Sequence, residues 1–348
     1  MTSQALVPVF DGHNDVLLRL WRSGNSNAEL EFLRGSDTGH LDLPRARAGG
    51  FAGGLFAVYI PSSADGIGSD GKPQAVPPSL EEARGAALEL ISLLIRLERA
   101  AKGQIRLCRT AQEIRSAMKE GALAAVFHIE GAEMIDLDLR MLDVLHQAGL
   151  RSLGPVWSRA NAFGYGVPFR YPSSPDIGPG LTDHGRELIR ACNRLRIMVD
   201  LSHLNEQGFW DVAGLSDAPL VASHSNAHGL TPHSRNLTDR QLDAIRESDG
   251  FVGVNFGTIF LRPDGRKDPE TSLNEIVNHV DYLVERIGID RVGFGSDFDG
   301  TTIPNEMRDV SGLPALVRAL EIRGYDRAAV HKICYQNWIS VLEKTWGC

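Results

Sequence analysis

Residues 122–131 read "ALAAVFHIEG". The run from Ala122 to Phe127 is apolar without alternation, and it closes on His128, Ile129 and Glu130. A strand with one face in water alternates apolar and polar residues. A short continuous apolar run bounded by glycine instead fits a strand buried on both faces, as in a parallel sheet covered by helices. Seven further runs share this character: "VPVFDGH" (7–13), "FAGGLFAVYI" (51–60), "LRSLGPVW" (150–157), "RIMVDLSH" (196–203), "PLVASHS" (219–225), "GFVGVNF" (250–256) and "RVGFGSDFDG" (291–300). Helical patterns lie between them at 79–100, 135–149, 182–195 and 274–288. The first has acids early and basic residues late, as the helix dipole favours. Eight such strands with helical crossovers in roughly 300 residues predict a (β/α)8 barrel, one domain over 1–348. A doubly wound open sheet is the rival, but it would need a nucleotide fingerprint, and no GxGxxG or Walker motif is present.

Two stretches, 61–79 and 161–181, are long and without regular pattern. In a barrel both follow strands and belong at the C-terminal mouth, where active sites are built. The segment 313–347 is expected to form helices packed on the outside of the barrel.

The 348 residues include 43% hydrophobic and 23% charged positions, with a formal charge of −8. That balance suits a globular protein with a large core and argues against a nucleic-acid surface, which needs clustered Lys and Arg. No run approaches the roughly 18 apolar residues of a membrane span. The first residues carry no basic stretch followed by an apolar core, so the cytoplasm is the expected compartment. Cysteines 108, 192, 334 and 348 are scattered, without CxxC spacing, and read as unpaired thiols rather than a disulfide framework.

The chemistry lies at the strand ends. His13 and Asp15 close the first strand, Glu130 the third, His203 the fifth, His224 the sixth and Asp297 the eighth. Side chains two apart on a strand share a face, so His13 and Asp15 can converge. Taken singly, each is an ordinary polar strand end, helix cap or Asp-Gly turn. Together they would bury five ligand-type groups at one barrel mouth, which is costly without an ion. Imidazoles with carboxylates suit Zn²⁺, ahead of Mn²⁺, Co²⁺ or Fe²⁺. Three histidines, an Asp and a Glu exceed the needs of one catalytic zinc and suit two ions roughly 3.5–4 Å apart. Asp297 or Asp299 is placed to move the proton of an attacking water.

The ordered set "DGHND", "HIEGAE", "GLTDHGRELI", "VDLSHL", "ASHSNAH", "SRN" and "GFGSDFDG" resembles the membrane dipeptidase (renal dipeptidase, M19 metallopeptidase) family of the amidohydrolase superfamily, nearly end to end. The resemblance implies that His13 and Asp15 bind one zinc, that His203 and His224 bind the second, and that Glu130 bridges them. It makes Asp297 the proton shuttle and Arg235 the binder of the substrate carboxylate. It also implies a dipeptide substrate, tolerance of a D-residue at its C-terminus, and a homodimer. One departure is evident. The family's best-known members carry a substrate-contacting His after the fourth strand, where this chain reads "LGPVWSRAN". Trp157 or Ser158 takes that position, and Trp157, Arg159 and Asn161 become the candidate substrate contacts. Another amidohydrolase reaction, on an N-acyl amino acid or a lactam, is the alternative. A non-catalytic barrel is a third, against which the retained Asp297 argues, since a binder needs no proton shuttle.

Overall fold

The computed structural model describes residues 6–62, 64–67 and 73–347. Eight parallel strands follow the eight apolar runs: β1 Val9–Asn14, β2 Phe51–Tyr59, β3 Leu123–Glu130, β4 Leu150–Gly154, β5 Met198–Val199, β6 Val221–Ala222, β7 Phe251–Val254 and β8 Val292–Phe294. Their order around the sheet is β5-β4-β3-β2-β1-β8-β7-β6. Asp200 bridges Val221 in parallel, and the Leu201 amide donates to Val221 O at 2.8 Å, so β5 meets β6 and the sheet closes into a barrel. Helices cover the outside. All eight residues of β3 are buried, as an unalternating apolar strand requires.

The helix ends follow local chemistry. Ser79 and Glu82 form a reciprocal capping box ahead of the helix Leu80–Ala100, and Thr182 caps Asp183–Leu195. The pattern at 135–149 predicts a longer helix than forms, because the helix there spans only Arg140–Ala148. The Asp136 carboxylate accepts the amides of Arg140 and Met141 at 3.0 and 3.1 Å, and Leu139 adopts φ +60°, so the preceding turn stands apart.

Of the two mouth loops, 61–79 carries an antiparallel pair, Ala64–Ile67 with Pro73–Val76. Positions 63 and 68–72 lie outside the described residues. The stretch 161–181 has no helix or strand, but isolated bridges pin it at Gly164 to Leu181 and Gly166 to Leu204.

The C-terminal helices do more than coat the barrel. Trp338, in the helix Asn337–Trp346, is fully buried against Phe10 and Phe251, with ring centroids 6.3 and 4.2 Å away. Its indole donates to Phe294 O at 2.8 Å. Phe10 and Phe251 lie near the starts of β1 and β7, so this helix plugs the barrel from the end opposite the strand C-termini, with the indole reaching inward to the last residue of β8. Gly12 allows the approach: a Cβ there would stand 2.4 Å from the indole ring and 2.2 Å from Ser223 O. Cys108, Cys192 and Cys334 are free and buried.

Candidate metal centre

The strand C-termini bring six ligand-type side chains together. His13 is the penultimate residue of β1, and Asp15 follows at the cap of the helix Val16–Arg22. Glu130 is the last residue of β3. His203, His224 and Asp297 lie just beyond β5, β6 and β8. His203 and Asp297 adopt φ of +68° and +60°, a strained conformation that turns each side chain out of the strand direction. The Asp297 amide donates to His13 O at 3.0 Å, which ties the two ends of the motif to each other. Asp11 adds a second tie, accepting the Ser296 amide at 2.6 Å and its hydroxyl at 2.8 Å.

Glu130 sits at the centre. Its Oε1 is 2.9 Å from His203 Nε2 and 3.5 Å from His224 Nε2, while Oε2 is 3.8 Å from His13 Nε2. His13 Nε2 is 3.3 Å from Asp15 Oδ2, and the Nε2 atoms of His203 and His224 are 3.0 Å apart. Ligand atoms of His13, Asp15 and Asp297 fall within 4.8 Å of one another, as do those of His13, Glu130 and His224.

The electrostatics call for a cation. Burial pushes Glu130 up to about 8 and raises Asp297 as well. Burial pushes His13 down, but the carboxylates of Glu130 and Asp15 outweigh it and lift the imidazole to about 10. His203 and His224 are driven well below the usual histidine range by burial, which keeps them in the neutral, ligating form. Asp15 Oδ1 is buried without a hydrogen-bond partner. Converging lone pairs, an orphaned carboxylate oxygen and a nitrogen–oxygen donor set fit a divalent transition ion.

A sequence profile of the membrane dipeptidase family, peptidase family M19, matches residues 3–346. The chain belongs to this family. The M19 metallopeptidases are metal-dependent hydrolases of dipeptides, and this chain is one of them. It is 54% identical to the dipeptidase AC, a metallopeptidase of family M19, over 99% of this chain and 100% of that one, with a TM-score of 0.95. A metallopeptidase from Rhodobacter sphaeroides, solved with a phosphinate mimic of the dipeptide L-Ala-D-Ala, is also 54% identical, over 98% of this chain and 100% of that one, with a TM-score of 0.93. Dipeptidase tcpJ of Claviceps purpurea (strain 20.1) is 30% identical over 341 residues, 96% of this chain and 76% of that protein. Among the described residues no helix is long and apolar enough to cross a membrane.

A pocket of about 360 Å³ opens onto the centre of this M19 barrel, lined among others by Asp15, Glu130, His203 and Asp297. Tyr59, Trp157, Phe169 and Phe260 wall one side. The Trp157 ring lies 5.3 Å from Tyr59, 5.6 Å from Phe169 and 5.8 Å from His203, which makes it part of the pocket wall. Arg235 is buried. It donates to Ser225 Oγ at 3.3 Å and to His224 O at 3.1 Å, and its Nε has no partner. Among the described residues no carboxylate pairs with it directly, and the Phe260 ring lies 5.7 Å from the guanidinium carbon, so a buried cation keeps an unused donor that an anion could satisfy.

Two of the candidate substrate contacts are committed elsewhere. Arg159 is buried and donates to Glu133 Oε1 at 2.9 Å, Ile60 O at 2.6 Å, and Tyr59 and Ser62 hydroxyls at 3.2 Å. Asn161 donates to Pro155 O at 2.8 Å and accepts the amides of Phe163 and Gly164. Both brace the loop after β4. Asp299 is likewise occupied, accepting from Arg19 Nε at 3.1 Å and the His40 amide at 2.5 Å, which leaves Asp297 as the acid facing the cluster. Sequence reasoning passed over Asn255, whose amide donates to Asp297 Oδ2 at 2.9 Å, and Asp200, which takes the Ser223 hydroxyl proton behind His224. Asp200 stands three residues before His203 in "VDLSHL", and its polarity inside an apolar run was the available signal.

Proposed function

We propose that the chain is a binuclear zinc dipeptidase whose substrates include dipeptides with a D-configured C-terminal residue. One observation carries the binuclear reading: Glu130 turns Oε1 toward His203 and His224 and Oε2 toward His13, so one carboxylate serves two ligand groups. His13 and Asp15 would hold one ion, His203 and His224 the other. When bound, such a pair lowers the pKa of water and polarises a carbonyl oxygen. The D-residue reading is supported by the Rhodobacter sphaeroides structure with its L-Ala-D-Ala mimic.

The residues of the chain do the rest. Arg235, with its unpartnered Nε, takes the substrate's terminal carboxylate. Tyr59, Trp157, Phe169 and Phe260 flank the scissile bond with apolar surface and limit water. Asp297 accepts the proton of the attacking water and returns it to the departing amide nitrogen, which balances the hydrolysis. Asn255 fixes one oxygen of that carboxylate during both transfers.

Metal counting on gently purified protein tests the reading. Two ions per chain are expected, and fewer than one would sink it. A panel of L,L and L,D dipeptides set against N-acyl amino acids and lactams tests the substrate. Trp157 and Ser158, standing where the family carries a histidine, favour the second reading, an amidohydrolase acting on those latter amides. Turnover confined to them would establish it over the first.

A further inference from the structure

The two imidazoles facing Glu130 Oε1 are held from behind in different ways. His224 Nδ1 lies 2.8 Å from Ser223 Oγ, and Ser223 gives its own proton to Asp200 Oδ2 at 2.5 Å. With that proton spent, Ser223 Oγ accepts from His224 Nδ1–H, and the His224 Nε2 lone pair is left facing the cluster. Among the described residues no carboxylate stands behind His203 Nδ1. Its Nδ1 lies 2.7 Å from Ser158 Oγ, and that hydroxyl has no other hydrogen-bond partner among the described residues.

Ser158 is held firmly enough to matter. On one side the Arg159 amide donates to Trp157 O at 2.7 Å, and the buried Arg159 guanidinium locks onto Glu133 and Ile60 O. On the other, Gly166 donates its amide to Arg159 O at 3.1 Å, in an approach so close that a Cβ at Gly166 would stand 1.6 Å from Trp157 O. The next residue, Val167, donates to His203 O at 2.8 Å. The loop after β4 and the turn carrying His203 are therefore clamped together at the backbone, with Ser158 Oγ at the join.

We propose that Ser158 is the positioning residue for His203. Its hydroxyl accepts Nδ1–H, fixes the tautomer and the ring plane, and so presents Nε2 to the second ion. The assignment rests on the binuclear reading above. It gives a task to one of the two residues, Trp157 and Ser158, that stand where family resemblance leads one to expect a histidine, and that task serves the metal rather than the substrate.

The test compares wild type with Ser158→Ala and Ser158→Thr. Each is loaded with zinc, dialysed against graded chelator and counted for metal, and each is titrated with Co²⁺ and followed by visible absorption. Circular dichroism melts check the fold. Losing the outer partner of a histidine ligand costs about 10–100-fold in metal affinity. The alanine variant is expected to release one of its two ions at a correspondingly lower chelator concentration, with altered cobalt bands for that ion only. The threonine variant, which keeps the hydroxyl, restores both. A wild type with two ions and an alanine variant that holds both equally well overturns the assignment alone. A wild type that holds fewer than two overturns the binuclear reading and this assignment with it.

Discussion

Asn255 Nδ2 donates to Asp297 Oδ2 over 2.9 Å, while the same carboxylate comes within 4.8 Å of the ligand atoms of His13 and Asp15. A side-chain amide thus fixes the acid at the edge of the metal cluster without adding charge. Replacing Asp297 with Asn keeps the volume and removes only the basic oxygen. Asp297→Asn is expected to hold metal as wild type does and to lose about 10²–10⁴-fold in kcat, the usual contribution of a general acid–base group. Metal counting alongside steady-state kinetics checks it. Full activity in the variant would move the proton-transfer role to another residue.

Arg235 is buried with an unpartnered Nε and, among the described residues, no carboxylate bonded to it. If that donor binds the substrate's terminal carboxylate, Arg235→Met lowers kcat/KM by roughly 10–100-fold, the worth of one charged hydrogen bond. The discriminating measurement uses dipeptide amides, which lack the carboxylate. Wild type should be slow on them, and the variant should lose little further. An equal loss on both substrate types would mean that the arginine only supports the fold around His224 O and Ser225.

The ligand residues are legible because each stands where an apolar run stops. Once eight such runs are read as one barrel, His13, Asp15, Glu130, His203, His224 and Asp297 must meet at a single mouth. What the chain order hides is orientation. Asp297 and Asp299 look alike in "SDFDG", and only Arg19 and His40, far away in sequence, show that Asp299 is already engaged. Arg159 and Asn161 read as pocket residues because a polar side chain beside a site has the same spelling whether it faces substrate or backbone. Trp338 reads as outer-helix packing, since an amphipathic pattern marks the buried face without saying that this face closes the barrel's lower end.

That lower end has its own consequence. Trp338 fills the space between Phe10 and Phe251 and reaches as far as Phe294 O at the end of β8. Trp338→Ala leaves a large apolar cavity and is expected to cost about 3–5 kcal/mol. Denaturant unfolding measures the loss. Metal stoichiometry at low temperature should stay at the wild-type value, because among the described residues no hydrogen bond or ring contact joins the indole to a ligand side chain. Loss of metal in a variant that remains folded would show the two ends to be coupled.

His279 carries a prediction about acid stability. It is fully buried, its Nδ1 accepts the Ala227 amide at 3.2 Å, and its Nε2 lies 3.1 Å from Leu261 O, so the ring is held neutral with the proton on Nε2. Burial lowers its pKa to about 4, against about 6.5 in the unfolded chain. Between those values the unfolded state binds the extra proton, and stability therefore falls as the solution is acidified. The contribution is intact above pH 6.5 and is lost progressively toward pH 4, by on the order of 3 kcal/mol in all. His279→Gln can keep an acceptor and a donor without titrating. Unfolding free energies measured from pH 7 down to pH 5 should fall less steeply in that variant than in wild type, by up to about 1.4 kcal/mol per pH unit. Protonation of the cluster histidines and carboxylates is common to both proteins and cancels in the comparison. Identical slopes would mean that His279 is protonated in the folded barrel and that the neutral tautomer is wrong.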